Sequence, residues 1–180
     1  VSSGTAALHI ACLAAGLGKD DTLWTSPNTF VASANCALYC SAKPDFVDIN
    51  SLTYNMDVDK LEAKLIEAAK TDTLPKVVIP VHFTGQSCEM ERINDLSKKY
   101  SFKIIEDACH ALGGSYKNKK IGSCGFSDMT VFSFHPVKSL TTGEGGMILT
   151  NNEELYEKLL SLRTHGITRK SKFMEGNSDG

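Results

Sequence analysis

The chain has 180 residues, 42% of them hydrophobic and 22% charged, and a formal net charge of −2 at pH 7. That size suits one domain with a sizeable core, and so even a charge balance makes neither nucleic acid nor an anionic membrane surface an expected partner. No apolar run approaches the roughly 20 residues needed to span a bilayer and no secretory leader is visible; six cysteines without the spacing of a disulfide framework make a reducing cytoplasm the expected compartment.

In chain order the pattern alternates helix and strand. Residues 5–17 carry Ala6, Ala7, Leu8, Ile10, Ala11, Leu13 and Ala14 at helical spacing, and Gly16 and Gly18 supply the stop. Residues 22–25 form a short strand ended by Ser26-Pro27-Asn28, and residues 29–39 a helix of small side chains. A strand over 45–49 and a turn over 50–55 lead into an amphipathic helix over 57–69, with Val58, Leu61, Leu65 and Ile66 on one side. The nearly all-apolar segment 76–81 suits a strand covered on both faces. A helix over 89–100 and a buried strand over 103–107 follow. Beyond a glycine-rich stretch come strands over 129–134 and 146–150 and a last helix over 152–162. Strands alternating with helices of this length predict a three-layer αβα domain with a mostly parallel sheet. Ligands of such sheets sit off the carboxyl ends of the strands, where Asp107, His82, Ser133 and Lys138 fall.

Four segments carry candidate chemistry. Ser2-Ser3-Gly4-Thr5 opens a helix, which makes it either a phosphate cradle of free N–H groups or a plain N-cap. Asp107 ends a buried strand, either as a carboxylate that needs a cationic or protonated partner or as a capping residue. His110, three residues on, reads equally as a ring-stacking group or a structural histidine, and Phe30 as the cover of a planar ligand or a core residue. Lys138 follows an apolar strand, five residues after Ser133 and just before glycines. A primary amine held at a sheet's mouth suits a Schiff base with an aldehyde cofactor, whereas the bland alternative is a surface lysine. The six cysteines lack the spacing of a disulfide framework, and no CxxC or HxxxH accompanies Cys36 and Cys40, so no metal is expected. There is no Walker loop and no G-x-G-x-x-G after a strand.

Together Ser3-Gly4-Thr5-Ala6-Ala7-Leu8, Ser26-Pro27-Asn28-Thr29-Phe30, Val81-His82-Phe83-Thr84-Gly85-Gln86, Glu106-Asp107-Ala108-Cys109-His110 and Phe132-Ser133-Phe134-His135-Pro136-Val137-Lys138 through Gly145-Gly146 resemble the motifs of the DegT/DnrJ/EryC1/StrS nucleotide-sugar aminotransferases, in order and over essentially the whole chain. The resemblance implies the large domain of a fold-type I, pyridoxal 5′-phosphate-dependent transferase. That domain would occupy residues 1–165 and be truncated at its N-terminus, with 166–180 starting the connection to a small C-terminal domain and a homodimer as the complete protein. It implies Lys138 as the Schiff-base lysine, Asp107 as the partner of the pyridine nitrogen, and Gly4, Thr5 and Ser133 as holders of the cofactor phosphate. Phe30 would cover the ring face and His110 would sit beside the ring or its phenolic oxygen, although the family often has glutamine there. Arg163-Thr164-His165-Gly166 is similar to a loop near the active site of relatives.

Ser-Phe-His-Pro-Val-Lys, with residues 77–82 and Gly85-Gln86-Ser87-Cys88, is similar to the pseudaminic-acid branch. The implied reaction moves an amino group from L-glutamate to C4 of a UDP-linked 4-keto-6-deoxy-N-acetylhexosamine. Related sugar 3-dehydratases carry histidine at the Schiff-base position, so Lys138 favours transamination. Two alternatives stand beside this: amination of a different nucleotide-linked ketosugar, and a non-catalytic α/β ligand-binding module.

Overall fold

A computed structural model describes residues 1–167 of the chain. Helix α1 (Gly4–Ala14) is followed by strand β1 (Thr22–Thr25), helix α2 (Ala32–Tyr39), strand β2 (Lys43–Phe46), helix α3 (Val58–Lys70) and strand β3 (Val77–Ile79). Then come helix α4 (Met90–Tyr100), strand β4 (Lys103–Asp107), a small hairpin of β5 (Ser115–Tyr116) and β6 (Lys119–Lys120), strands β7 (Met129–Ser133) and β8 (Gly146–Leu149), and helix α5 (Glu153–Arg163). The main sheet has the order β2-β1-β3-β4-β7-β8 and is parallel except for β8, which runs antiparallel to β7.

Side-chain alternation along the central strands builds the two outer layers. Leu23, Val77, Ile79 and Ile105 face α1, α2 and α5, whereas Trp24, Val78 and Ile104, one residue out of step, face α3 and α4. The first layer is made of small residues such as Ala7, Ala11, Cys12, Cys36 and Ala37, which let α1 and α2 lie close to the sheet and to each other. The second is packed with Leu61, Leu65, Met90 and Ile93. Helices α1, α3 and α5 start on side-chain caps: Ser3, Asp57 and Asn152 each accept an amide N–H of the first turn.

The bounds of β1 and β4 match the sequence pattern, and the three-layer arrangement is the one expected. Helix α1 ends at Ala14 rather than residue 17 and β3 pairs only over Val77–Ile79 rather than 76–81, and further differences have a readable cause. Strand β2 pairs over 43–46, because Lys43 aligns with Thr22 and Phe46 with Thr25, while Ile49 makes only an isolated antiparallel bridge with Met56. Helix α2 starts at Ala32, leaving residues 29–31 as a loop end. The glycine-rich stretch contains the β5–β6 hairpin, turned by Lys117 and Asn118 with φ of 45° and 63°, the two positive values a tight primed turn needs. The stretch expected to lead to a further domain, 166–180, lies largely outside the described residues.

Candidate active site

The carboxyl ends of β1, β3, β4 and β7 and the N-terminus of α1 converge on a cleft of about 580 Å³. All seven residues singled out in the sequence line it: Gly4, Thr5, Phe30, Asp107, His110, Ser133 and Lys138.

At one end the first turn of α1 meets the end of β7. A Cβ added to Gly4 would lie 2.9 Å from the Cβ of Ser133 and 3.2 Å from its Oγ, so only glycine allows the helix to start this close to the serine. The Ser3 side chain accepts Ala6 N–H and the Ser3 carbonyl accepts Ala7 N–H. The Gly4 and Thr5 N–H groups, at the start of the helix, have no acceptor within it, and both residues line the cleft with Ser133, an arrangement that could hold an anion. Strand β8 locks the position: Val1 and Gly146 exchange two hydrogen bonds of 2.9 Å, and a Cβ on Gly146 would meet the Ser3 carbonyl oxygen at 2.2 Å.

In the middle stands Asp107, 6% exposed. Its Oδ2 accepts the Ser33 hydroxyl at 2.6 Å and its Oδ1 accepts the Cys109 N–H at 3.2 Å. It makes no ion pair among the described residues. A carboxylate buried with only neutral donors is electrostatically incomplete, and a protonated ring nitrogen is the kind of group that completes it.

Lys138 stands on the 134–145 loop, which is closed at its base by Phe134 N–H to the Gly145 carbonyl (2.9 Å) and Thr142 N–H to the Phe134 carbonyl (3.1 Å). The lysine is half-buried, and its Nζ makes no hydrogen bond or ion pair among the described residues. Its charge is felt at two neighbours. The Cys109 thiol is pushed up by burial and by Asp107, with Lys138 pulling the other way, which disfavours its thiolate. The His110 imidazole is held below its ordinary value by partial desolvation and then by Lys138, with Asp107 opposing. At the rim, Phe30 is 73% exposed, which removes the core alternative for that ring.

His82 reaches the same cleft, but its ring belongs to a different network. Nδ1 accepts the Cys88 N–H at 3.2 Å, so Nε2 carries the proton that it donates to Glu106 at 2.7 Å. Glu106 also accepts the Thr130 hydroxyl at 3.0 Å and the Ser127 hydroxyl. Burial pushes the Glu106 carboxyl up, and the bonds from His82, Ser127 and Thr130 outweigh it, leaving it below the ordinary carboxylate value.

The sequence pattern did not single out Ser33, Ser127 or Thr130, and it placed His82 among the strand-end candidates without linking it to Glu106. Ser33 lies 74 residues from Asp107 in the chain, and its only local signal is a hydroxyl four residues after Thr29. Arg163-Thr164-His165-Gly166 contributes nothing to the cleft; Thr164 and Gly166 line a separate groove between α1 and α5. Among the described residues no cluster of His, Cys, Asp or Glu is arranged to hold a metal ion, and no helix is long and apolar enough to cross a membrane.

Comparison with known proteins gives a family and a fold. The model of the DegT/DnrJ/EryC1/StrS aminotransferase family matches residues 1–178. The UDP-4-amino-4,6-dideoxy-N-acetyl-beta-L-altrosamine transaminase of Campylobacter jejuni is 47% identical over 170 residues, which is 94% of this chain and 43% of that protein. GDP-perosamine synthase of Caulobacter vibrioides is 40% identical over 172 residues, 96% of this chain and 44% of that one. Among solved structures, Helicobacter pylori PseC, described as an aminotransferase involved in the biosynthesis of pseudoaminic acid, superposes with a TM-score of 0.82 at 37% identity, covering 99% of this chain and 46% of its own. NtdA from Bacillus subtilis, solved with bound cofactor PMP, gives a TM-score of 0.77 at 34% identity over 89% of this chain and 34% of its own. The chain spans less than half the length of the curated relatives it matches.

Proposed function

This chain belongs to the DegT/DnrJ/EryC1/StrS aminotransferase family, and from that premise we propose that it is the cofactor-binding part of a pyridoxal phosphate-dependent transaminase acting on a nucleotide-linked ketosugar. The observation that carries the reading is the incomplete Asp107 carboxylate facing the same cleft as an unpaired lysine amine and a helix-start anion cradle. These three parts fit the three ends of one cofactor: ring nitrogen, aldehyde and phosphate.

When bound, the cofactor supplies an aldehyde carbon that exchanges amines and a ring that withdraws electrons from the carbon bearing the amine. The Gly4 and Thr5 N–H groups and the Thr5 and Ser133 hydroxyls would hold its phosphate. Phe30 would cover one face of its ring and exclude water there. Asp107 would hold the proton on the ring nitrogen, which the low-dielectric setting of the carboxylate makes effective. Lys138 would hold the cofactor at the aldehyde carbon and, as a free amine, move a proton between the amino donor's α-carbon and the cofactor's C4′. His110, biased toward its neutral form, would face the phenolic oxygen as a hydrogen-bonding group rather than as a second cation. In the net reaction L-glutamate leaves as 2-oxoglutarate, and the keto oxygen at C4 of the sugar is replaced by the amino group.

For the sugar, the similarity to the Campylobacter jejuni transaminase and to PseC supports a UDP-linked 4-keto-6-deoxy-N-acetylhexosamine and a place in pseudaminic acid biosynthesis. The similarity to GDP-perosamine synthase supports the second reading, a different nucleotide-linked ketosugar. Residues 1–165 would form the large domain and 166–180 the start of the connection to a smaller one, in a cytoplasmic homodimer.

The test is spectroscopic first. The full-length protein mixed with pyridoxal phosphate develops an absorbance at about 420 nm that borohydride fixes covalently. Lys138→Ala removes both this band and turnover. A variant that keeps both overturns the assignment of Lys138. Turnover with glutamate and either UDP- or GDP-linked 4-ketosugars then separates the two substrate readings.

A further inference from the structure

The Asp107 carboxylate is gripped from two elements distant in sequence. One grip is the Cys109 N–H on Oδ1, in the turn after β4. The other is the Ser33 hydroxyl on Oδ2, from the first turn of α2. Ser33 is 0% exposed, and its Oγ also lies 2.7 Å from the Oγ1 of Thr29.

The direction of this chain of bonds is fixed by donor counting. An ionised carboxylate only accepts, so the single Ser33 hydroxyl proton points at Asp107. Ser33 then has only lone pairs to offer Thr29, and the Thr29 proton points at Ser33. The result is a one-way relay, Thr29 O–H to Ser33 O–H to Asp107 Oδ2, in which each bond polarises the next. Thr29 itself lines the cleft next to Phe30, with its own lone pairs left over. Two bonds on two oxygens fix the plane of the carboxylate, whereas one alone would leave it free to rotate about the terminal torsion, which is broad for aspartate.

We propose that Thr29 and Ser33 are positioning residues that set the orientation and negative charge of Asp107 toward the ring nitrogen of the bound cofactor. The proposal depends on the ring-nitrogen role given to Asp107 above. It makes α2 part of the catalytic apparatus through a side chain that never meets the substrate.

The experiment uses the full-length protein loaded with pyridoxal phosphate, and compares Ser33→Ala, Thr29→Val, Thr29→Ser and Asp107→Asn. Losing a hydrogen bond to a charged group predicts that Ser33→Ala lowers kcat roughly 10- to 100-fold, with KM for both substrates changed less than about threefold. It also shifts the pH midpoint of the bound cofactor's visible absorbance. Thr29→Val acts in the same direction by less, and Thr29→Ser restores the parent behaviour. Equilibrium dialysis of pyridoxal phosphate into cofactor-free protein gives a readout apart from turnover, with weaker binding by Ser33→Ala than by Thr29→Ser. A role in packing alone would lower the melting temperature of Ser33→Ala and leave the absorbance titration and kcat in place, and that result overturns the relay. If Ser33→Ala fails to fold, an unchanged titration in Thr29→Val overturns it instead. Should Asp107→Asn itself leave the titration unmoved, the ring-nitrogen reading falls and the relay with it. If Asp107→Asn moves the titration while the hydroxyl variants do not, only the relay falls.

Discussion

Glu106 and Asp107 are neighbours at the end of β4, both buried, and they point into opposite layers of the domain. Glu106 faces the α3–α4 side and is completed by a ring N–H and two hydroxyls, from His82, Ser127 and Thr130. Asp107 faces the α1–α2 side and has a hydroxyl, one amide and a cleft. Composition does not separate them, since both are carboxylates at strand positions with little solvent. Completeness does. The carboxylate whose partners are all internal is read as stabilising the fold, and the one left short of a partner is the one proposed above to meet the cofactor.

The sharpest way to break this contrast is to neutralise Asp107. Asp107→Asn should lower turnover by about a thousandfold or more, comparable to losing a preorganised electrostatic group, while the denaturant midpoint stays put or rises because an uncompensated charge has left the interior. A large loss of stability with little loss of turnover would reverse the roles assigned to the pair. On the other side, His82→Ala should cost about 3 kcal/mol in urea unfolding, since it strands the Glu106 carboxylate and the Cys88 N–H together. The folded fraction should still develop the cofactor band.

The smallest effect is in pH. Glu106 titrates below its ordinary 4.5 in the folded protein. A lowered folded value means the stability it contributes is fully present above the unfolded value and is lost as pH falls through the folded one. Urea midpoints should therefore hold down to about pH 4.5 and decline below it. Glu106→Gln should be less stable at neutral pH and show a flatter acid limb; an unchanged limb would mean that other carboxylates control acid unfolding.

Much of the fold and of the cleft is legible in the sequence, although the contrast between the two acids is not. The nearly all-apolar segment 76–81 and the Ile104-Ile105 pair ahead of Glu106-Asp107 announce buried strands, and α1 and α3 announce themselves by spacing. The seven cleft residues stand at strand ends and at a helix start, where an α/β sheet puts its ligands. What stayed hidden depends on register and on partners far along the chain. Strand β2 is an exposed edge, so no hydrophobic alternation marks its bounds. The β5–β6 turn uses Lys117-Asn118 rather than a glycine pair, and so gives no familiar turn signal. Which of two adjacent acids is completed internally depends on His82, Ser127 and Thr130 arriving from other segments, and the order of residues carries no trace of it.

The fastening of α1 to β8 has a consequence for how the molecule is made. The Val1–Gly146 bonds close a loop with a sequence separation of 145 residues. Contacts this distant are slow to form, because the entropy of closing the loop is lost before they contribute. The first turn of α1 lies against Ser133 of β7 and is fastened by Gly146 of β8, so its seat is complete only when both strands, far along the chain, are in place. The helix start beside Ser133 therefore takes its final form only after β7 and β8 have paired, and a ligand held there would report that this edge of the sheet has closed.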